Sequence, residues 1–258
     1  MDLGLKSKVF IVTGGGAGIG GAISLTLAQE GAVVAIFGRS ALQPEFINAL
    51  NAQQATYSFH QLDVTQEEAC QREVAEVITK YGRLDGLVNN AGINDNVGLE
   101  DSVEAFKQSL DKNLIHYFMM AHYCIPHLKN SQGSIVNIGS KVALTGQGHT
   151  SGYAASNGGR LALTREWAAQ YRDEGVRVNA VLPAEVMTPL YQRWIDSFEH
   201  PQEKLAQITK NIPFGHRMTT VQEIADTTVF LLSERSSHTT GQLLFVDGGY
   251  THLDRALD

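Results

Sequence analysis

The feature that most limits how this chain can fold is a glycine-rich segment that separates its first apolar run from its first helical pattern. Residues 13–20 read Thr-Gly-Gly-Gly-Ala-Gly-Ile-Gly. Glycine tolerates the positive φ of a tight strand-to-helix turn and lets a backbone approach a pyrophosphate closely. The helix that follows would offer unpaired N–H groups and a positive dipole end. Such a turn alone is a weak signal, but its position between a strand and a helix favours a dinucleotide site.

Short β-branched runs alternate with longer helical patterns along the whole chain. Strands are predicted over residues 8–13, 32–37, 56–62, 84–89, 134–138, 176–182 and 243–246. One long helix is predicted over 102–128, and a helical segment over 188–210 within a substrate-loop insertion of residues 188–215. This alternation predicts an α/β, doubly wound Rossmann fold with a seven-stranded parallel sheet flanked by helices. Without a repeat or a linker, residues 1–258 are expected to form a single catalytic domain.

Composition excludes several classes of partner. Hydrophobic residues make up 43% of the 258 residues, and the formal net charge is −7. The acidic balance argues against nucleic acid and against anionic membrane surfaces as partners. The two cysteines belong to no CxxC or Cys/His cluster, so no metal site is predicted. The first apolar run is too short for a signal peptide or a membrane span, and a cytoplasmic location is expected.

Several motifs, in order along the chain, carry a family resemblance. They are TGxxxGxG at residues 13–20, NNAG at 89–92, Asn113, Ser140, Tyr153, PAEVMTP at 183–189 and VDGG at 246–249. Together they resemble the short-chain dehydrogenase/reductase family over nearly the whole chain. The resemblance implies a nicotinamide-dependent oxidoreductase acting on a small molecule, and it implies a homotetramer assembled through the long helices.

The same resemblance implies which residues bind the cofactor. Asp63, after the third strand, would contact the adenine ring, and residues 90–92 would pass beside the adenosine ribose. The whole expected set is Gly14, Gly16, Gly18, Ile19, Gly20, Arg39, Asp63, Val64, Asn90, Ala91, Gly92, Tyr153, Asn157, Pro183, Val186 and Thr188.

The end of the second strand bears on the choice of nucleotide. An acidic residue there would bind the ribose hydroxyls of NAD, but Gly38 occupies that place and Arg39 follows it. A guanidinium is a planar, charge-assisted donor for a 2′-phosphate. NADP is therefore favoured, with NAD as the alternative and a solvated loop arginine as the plainer interpretation of Arg39.

The resemblance also assigns the catalytic roles. Tyr153 would be the acid/base, Ser140 would hold the substrate oxygen, and Asn113 would anchor a water of the proton relay. The family then expects lysine four residues after the tyrosine, one helical turn on, where this chain has Asn157. A free tyrosine has a pKa near 10, and a nearby ammonium favours its phenolate. Asparagine is still able to hydrogen-bond a ribose hydroxyl, but it brings no charge.

Three interpretations of Asn157 stay open at this point. It is an engineered or incidental substitution that impairs an ordinary enzyme, a natural variant that works more slowly or at higher pH, or a sign that the protein has abandoned catalysis. Under the first two, Asn157→Lys is expected to raise turnover by roughly 10²–10⁴, the usual scale of acid–base assistance.

The loops around the expected pocket are rich in polar side chains. The expected substrate-binding residues are Asn94, Ser140, Gln147, His149, Tyr153, Glu185 and Trp194. Hydrogen-bonding groups of this kind favour a polyhydroxylated substrate over a fatty-acyl or steroid one. The plainer interpretation is that many of them merely line a wet loop.

Five segments resemble the L-fucose (6-deoxyaldose) dehydrogenases within this family. They are residues 86–95, 113–117, 145–153, 183–191 and 248–255. This resemblance implies oxidation of a pyranose at C1 to the 1,5-lactone. The rival hypotheses are a 3-oxoacyl or other ketone reductase and a non-catalytic dinucleotide-binding protein.

Overall fold

The computed structural model describes residues 2–253, and a sheet of seven strands forms its centre. The strands are β1 Val9–Thr13, β2 Val33–Gly38, β3 Thr56–Gln61, β4 Gly86–Asn89, β5 Ser134–Ile138, β6 Arg177–Pro183 and β7 Leu243–Val246. Every neighbouring pair is parallel, in the order β3-β2-β1-β4-β5-β6-β7. The predicted doubly wound α/β fold and its seven strands are confirmed.

Helices cover both faces of the sheet. They are α1 Gly18–Gln29, α2 Pro44–Ala52, α3 Glu67–Tyr81, α4 Val103–Leu110, α5 His116–Ser131, α6 Val142–Thr145, α7 Ser151–Gln170, α8 Pro189–Asp196, α9 Pro201–Thr209 and α10 Val221–Leu232. The first and last of these, α1 and α10, pack together, as do α3 and α5. None of the helices described within residues 2–253 is long and apolar enough to cross a membrane.

The first strand shows why the sheet is buried on both sides. Phe10 and Val12 join the core that includes Ile23 of α1, whereas Val9 and Ile11 join the core on the opposite face. Successive side chains of a strand point to opposite faces, so a strand covered on both sides is apolar without alternation.

The carboxyl ends of the parallel strands meet at one edge of the sheet. The glycine-rich turn follows β1, residues 90–92 follow β4, Ser140 follows β5, and residues 184–188 follow β6. The chain order reverses between β1 and β4, which lie side by side. Ligands of such folds bind at this reversal, outside the carboxyl ends of the strands.

The helix predicted over 102–128 is not one regular helix. It begins as α4, passes through a π-helical turn over Asp111–Ile115, and continues as α5 to Ser131. Single π-turns of this kind occur frequently at functional sites, and Asn113 lies in this one. The prediction of an uninterrupted helix was wrong because one extra residue barely disturbs the apolar periodicity.

The single helical segment predicted over 188–210 is two short helices. Thr188 caps α8, its hydroxyl oxygen accepting from the backbone N–H of Tyr191 at 3.1 Å, and α8 ends at Asp196. The next helix, α9, begins at Pro201. Proline is favoured in the first turn of a helix and disrupts a helix interior, which explains the break.

Candidate active site

The turn after β1 has almost no free space inside it. A Cβ on Gly20 would lie 2.3 Å from the Gly14 carbonyl oxygen and 2.5 Å from Nδ2 of Asn90. Gly14 itself has a φ of 63°, a backbone conformation that favours glycine. The turn therefore requires glycine at both positions.

The N-terminus of α1 is open toward this turn. Its cap residue, Ala17, supplies no side-chain acceptor, and the first helical turn holds no acidic residue. Gly18, Ile19 and Gly20 begin the helix there, with Gly16 just before it. An uncapped helix N-terminus behind a tight glycine turn fits the pyrophosphate of a dinucleotide. The residues present therefore fit the nicotinamide cofactor that the sequence predicts.

Hydrogen bonds hold the end of β4 against the glycine turn. The hydroxyl oxygen of Thr13 accepts from the backbone N–H groups of Asn90 at 2.9 Å and Ala91 at 3.1 Å. In return, Nδ2 of Asn90 donates to the Thr13 carbonyl at 2.9 Å. The two segments that the sequence assigns to the cofactor therefore form one continuous wall.

Residues after β6 close the other side of the turn. The carbonyl of Pro183 accepts from the backbone N–H of Lys141 at 3.0 Å. Val186 is buried, and Thr188 Cγ2 lies 3.7 Å from the position that a Cβ on Gly18 would take. The structure thus brings this segment beside the glycine turn, as the predicted cofactor set requires.

At the far end of β2, Arg39 and Asp63 lie side by side. The Arg39 guanidinium is exposed, and one of its nitrogens lies 4.0 Å from Oδ2 of Asp63. Burial alone would raise the pKa of Asp63, but hydrogen bonds from Thr65 and the Arg39 charge lower that pKa overall. Val64 is buried next to this pair. An exposed guanidinium thus lies at the end of β2, where the sequence predicts contact with the nucleotide.

Asn113 holds the loop that follows β4. Its Oδ1 accepts from the backbone N–H of Ile93 at 2.8 Å, and its Nδ2 donates to the Ser109 carbonyl at 3.0 Å. A Cβ on Gly92 would lie 3.0 Å from the same Oδ1. The side chain of Asn113 is therefore engaged with protein groups, and the relay water assigned to it stays a prediction.

Ser140, Tyr153 and Asn157 have different degrees of exposure. Ser140 is buried, with its Oγ accepting a long 3.4 Å bond from the backbone N–H of Val142, and Tyr153 is partly exposed on α7. Asn157 is 0% exposed. Its Nδ2 donates to the Tyr153 carbonyl at 2.8 Å, and its Oδ1 accepts from Arg160 at 3.1 Å. Asn157 is thus already engaged within the protein.

A charged cluster lies next to Ser140 that sequence reasoning did not assemble. The Lys141 ammonium pairs with Oε1 of Glu185 and lies 3.7 Å from the centroid of the Tyr250 ring. Oε2 of Glu185 accepts from the Tyr191 hydroxyl at 2.6 Å. Burial, followed by the Glu185 carboxylate, raises the pKa of Tyr191, so this hydroxyl stays protonated. Protein donors therefore hold both carboxylate oxygens of Glu185, and its contact with the substrate stays a prediction.

A cavity of about 580 Å³ opens beside this cluster. Its lining residues are Lys141, Thr145, Gly146, Gln147, Tyr250, Thr251 and Leu253. Of the predicted substrate residues, Gln147 lies in this lining. The 248–255 segment contributes Tyr250, Thr251 and Leu253, while Asp254 and Arg255 lie outside the described residues.

Other predicted substrate residues lie in surrounding loops. Asn94 Oδ1 accepts from the backbone N–H of Asn96 at 3.3 Å. His149 is exposed with a φ of 54°. Trp194, on α8, is half-exposed and packs edge-on against Tyr191, with ring centroids 5.2 Å apart. None of these three lines the cavity, so their contact with substrate stays a prediction.

Comparisons with known proteins agree with this geometry. Residues 14–251 match a family model described as enoyl-(acyl carrier protein) reductase. L-fucose dehydrogenase of Bos taurus is 36% identical over 244 residues, 94% of this chain and 88% of that protein. The 3-oxoacyl-[acyl-carrier-protein] reductase FabG of Thermotoga maritima is 34% identical over 249 residues, 95% of this chain and 98% of that protein.

The chain belongs to the short-chain dehydrogenase/reductase family.

Solved members of the family superpose on nearly the whole chain. Cj0485 dehydrogenase is 47% identical with a TM-score of 0.98, covering 100% of this chain and 99% of that one. Thermoplasma acidophilum aldohexose dehydrogenase is 30% identical with a TM-score of 0.88, covering 99% and 98%. The short-chain dehydrogenase/reductase family binds NAD(P), and the chain is an oxidoreductase of this family, as the motifs predicted.

Sequence reasoning missed four residues of this short-chain dehydrogenase/reductase site. Lys141, Tyr191 and Tyr250 form the cluster around Glu185, and Arg160 contacts Asn157. The sequence did carry a signal for the first three. Lys141 follows Ser140, Tyr191 lies just after residues 183–189, and Tyr250 lies within residues 248–255. For Arg160 the signal is a charge seven residues after Tyr153, on the same face of a buried helix.

Proposed function

We propose that this protein oxidises a pyranose of the L-fucose type at C1 to the 1,5-lactone with NAD(P)⁺ as hydride acceptor. The observation that carries the proposal is the Lys141–Glu185–Tyr191 cluster beside Ser140, next to a cavity lined by Gln147 and Thr251. Sugar hydroxyls donate and accept hydrogen bonds, so they match charged and hydroxyl groups together. A fatty-acyl chain would desolvate the same groups without replacing their hydrogen bonds, which is unfavourable.

In the proposed reaction Ser140 and Tyr153 hold the anomeric hydroxyl. The hydroxyl proton moves to the phenolate oxygen of Tyr153 while C1 loses its hydrogen as hydride and becomes the lactone carbonyl carbon. When bound, the nicotinamide supplies the hydride acceptor. Glu185, held by Lys141 and Tyr191, is assigned to bind the ring hydroxyls together with Gln147. The other predicted substrate residues, Asn94, His149 and Trp194, are assigned to the rim of the pocket.

Arg39 supports NADP as the preferred nucleotide. Gly38 brings no carboxylate to the end of β2, and the exposed Arg39 guanidinium is available to a 2′-phosphate. Asp63 Oδ2 lies 4.0 Å from a guanidinium nitrogen of Arg39 and attracts the guanidinium toward the expected nucleotide site. The negative charge of Asp63 also disfavours a phosphate beside it. Use of both nucleotides, with NADP preferred, is the expected outcome.

A cytoplasmic homotetramer is part of the same proposal. Three apolar side chains of the α4–α5 region are exposed in the single chain: Val103 at 73%, Ile115 at 43% and Phe118 at 52%. Exposed apolar side chains that are grouped in one region of a protein are typical of a subunit interface. Sedimentation of the purified protein tests it, and a monomer would contradict it.

The function is tested by an aldose panel assayed with NAD⁺ and with NADP⁺ through nicotinamide absorbance. Oxidation of L-fucose or a stereochemically related aldose with formation of lactone is the expected result. Turnover of 3-oxoacyl or other ketone substrates alone would replace the proposal with the reductase hypothesis. Tight cofactor binding without any turnover would leave the non-catalytic hypothesis.

A further inference from the structure

A buried arginine occupies the catalytic face of α7. Arg160 lies seven residues after Tyr153 and three after Asn157, and it is 3% exposed. At 3.6 residues per turn, these three positions fall on one side of the helix. The charge that the family expects at residue 157 is absent, but a charge is present one turn further along.

The guanidinium is held by neutral acceptors. Its Nε donates to the Asn113 carbonyl at 2.7 Å, in the π-helical turn, and its Nη1 donates to the Ile138 carbonyl and to Oδ1 of Asn157, both at 3.1 Å. None of the ion pairs formed among residues 2–253 includes Arg160. A buried charge without a counterion is costly, so it acts strongly on nearby groups that are able to become anionic.

One nitrogen of the guanidinium has no protein acceptor. Nη2 is buried and forms no hydrogen bond among the described residues. A Cβ on Gly92 would lie 3.0 Å from Nη2 and 3.0 Å from Oδ1 of Asn113. The unused donor therefore faces the loop after β4, which the cofactor is expected to border.

Two aromatic rings lie close to the guanidinium. Its central carbon is 4.2 Å from the ring centroid of Tyr117 and 6.0 Å from that of Tyr153. Tyr117 is fully buried, its hydroxyl donates to the Ile138 carbonyl, and burial raises its pKa to about 12. Tyr153 is partly exposed. Of the two phenols, Tyr153 is the one placed to exchange its proton.

Other titratable groups around α7 are neutral, paired or solvated. On α5, burial and the Arg160 charge lower the pKa of His116 to about 3. Lys141 is paired with Glu185, and Lys112 lies 3.8 Å from Asp95. On α4, the π-helical turn and the loop before α7, the side chains of Glu104, Lys107, Asp111 and His149 are exposed.

We propose that Arg160 supplies the positive charge that stabilises the phenolate of Tyr153, in place of the lysine that Asn157 replaces. Asn157 then acts as a neutral spacer that accepts from Arg160 and donates to the Tyr153 carbonyl. Arg160 is a positioning residue, because it acts through Tyr153 and the Asn113 backbone. The inference rests on the proposed function only in taking Tyr153 as the proton acceptor.

This arrangement changes the expectation for restoring the lysine. An ammonium at residue 157 would replace the Oδ1 that now accepts from Arg160, and two cations would meet in a buried site. Asn157→Lys alone is therefore expected to lower the melting temperature and to raise turnover by less than about tenfold, well below the scale of full acid–base assistance. The double variant Asn157→Lys/Arg160→Leu is expected to fold and to work as an ordinary member of the family.

The direct test is the ultraviolet titration of the Tyr153 phenol, which needs neither sugar nor cofactor. The difference between each protein and its Tyr153→Phe counterpart isolates this one tyrosine. Arg160→Gln is expected to move the titration midpoint to higher pH, because it removes a cation whose central carbon lies 6.0 Å from the centroid of the Tyr153 ring. Arg160→Lys retains the charge and is expected to restore most of the shift. If the protein has aldose dehydrogenase activity, the pH at which kcat increases is expected to shift in the same direction as the Tyr153 midpoint.

Arg177→Gln is the matched control. Arg177 is a part-buried arginine that, like Arg160, donates to backbone carbonyls, but it lies at the start of β6, away from the carboxyl ends of the strands. Its loss is expected to lower stability without moving the Tyr153 midpoint. An Arg160→Gln protein that titrates like the wild type, or an Arg177→Gln protein that shifts as much, overturns the inference.

Should Arg160→Gln fail to fold, the double variant carries the test. A Tyr153 midpoint in Asn157→Lys/Arg160→Leu within about half a pH unit of the wild type supports exchange of one cation for another. A midpoint more than about one unit lower shows that residue 160 supplied no such charge in the wild type and contradicts the proposal. Failure of the sugar panel alone would leave these titrations unaffected.

Discussion

The two halves of the site, the glycine turn and the surroundings of Ser140, are built from different kinds of groups. Around the glycine turn, the wall consists of backbone groups, and the decisive property is the lack of a side chain at Gly14 and Gly20. Around Ser140, the wall consists of side chains from separate loops, such as Lys141, Glu185 and Tyr250. The first half depends on local backbone conformation, and the second depends on long-range pairing.

This difference predicts different responses to substitution. A change at the glycine turn is expected to weaken cofactor binding severely, because the backbone atoms around the turn leave no room for an added side chain. A change in the charged cluster is expected to alter substrate affinity and stability while the cofactor still binds. Gly20→Ala and Glu185→Gln test that separation directly, Arg39→Ala tests the nucleotide edge, and Glu223→Gln tests a helix cap outside both halves; they follow from the largest expected effect to the smallest.

Gly20→Ala is expected to have the largest effect. Its Cβ would meet the Gly14 carbonyl oxygen at 2.3 Å, so the turn must open. Displacing the pyrophosphate wall by such an amount is expected to weaken NAD(P) binding about 100-fold or more, and overpacking lowers the free energy of unfolding by about 1–3 kcal/mol. Calorimetric titration with NADP⁺ measures the first effect.

Gly158→Ala is the control for that variant. It lies within α7, with nothing within 4 Å of the added Cβ. Replacing a helical glycine at such a position is expected to stabilise the protein by about 0.4–1 kcal/mol. Equal cofactor affinity in Gly20→Ala and Gly158→Ala would contradict the hypothesis that the backbone of the glycine turn determines cofactor binding.

Glu185→Gln is expected to act on the other half. It leaves the buried Lys141 ammonium without its counterion, which is expected to cost about 3 kcal/mol of stability. The KM for the aldose is expected to rise about tenfold or more, the scale of a hydrogen bond to a charged group, while the Kd for NADP⁺ is unchanged. Tyr191→Phe, which removes one donor to the same carboxylate, is the milder comparison. A large loss of cofactor affinity would show that the two halves are coupled.

Arg39→Ala is expected to change nucleotide preference by about tenfold. The variant loses a charge-assisted contact to a 2′-phosphate, worth roughly 1.5–3 kcal/mol when formed, while NAD⁺ has no such group. The ratio of kcat/KM for NADP⁺ to that for NAD⁺ measures it. An unchanged ratio would assign Arg39 to its ion pair with Asp63 alone.

Glu223→Gln is expected to have the smallest effect, and it acts on stability alone. Glu223 forms the capping box of α10 with Thr220 and pairs with Arg217, and these hydrogen bonds lower its pKa from 4.5 to about 2. Because the folded-state pKa is lowered, the stabilisation is complete above about pH 4.5 and is lost as the pH falls toward 2. The difference in melting temperature between wild type and variant should narrow over that range, and a constant difference would contradict the assignment.

The predictions that succeeded from sequence share a local origin. All seven strands and the glycine turn after β1 were identifiable because buried strands are short, continuous apolar runs and a tight turn needs glycine. The π-turn at Asp111–Ile115 and the break before Pro201 were not identified. The π-turn adds a single residue, which hardly alters the spacing of the apolar residues. The two short helices α8 and α9 have similar residue compositions, so they look like one helix in the sequence.

The amino-acid sequence by itself determined the parallel sheet, the glycine cradle and the family, because each depends on residue types at fixed spacings. Only the tertiary structure decided that Lys141 meets Glu185, which stands 44 positions away, and that Arg160 meets the Asn113 carbonyl, which stands 47 positions away. Such contacts join groups from segments that are far apart along the chain, and their strength depends on burial. Along the chain, Asn157 looks like the loss of a charge. In the folded protein, the buried Arg160 carries a positive charge one helical turn further along α7.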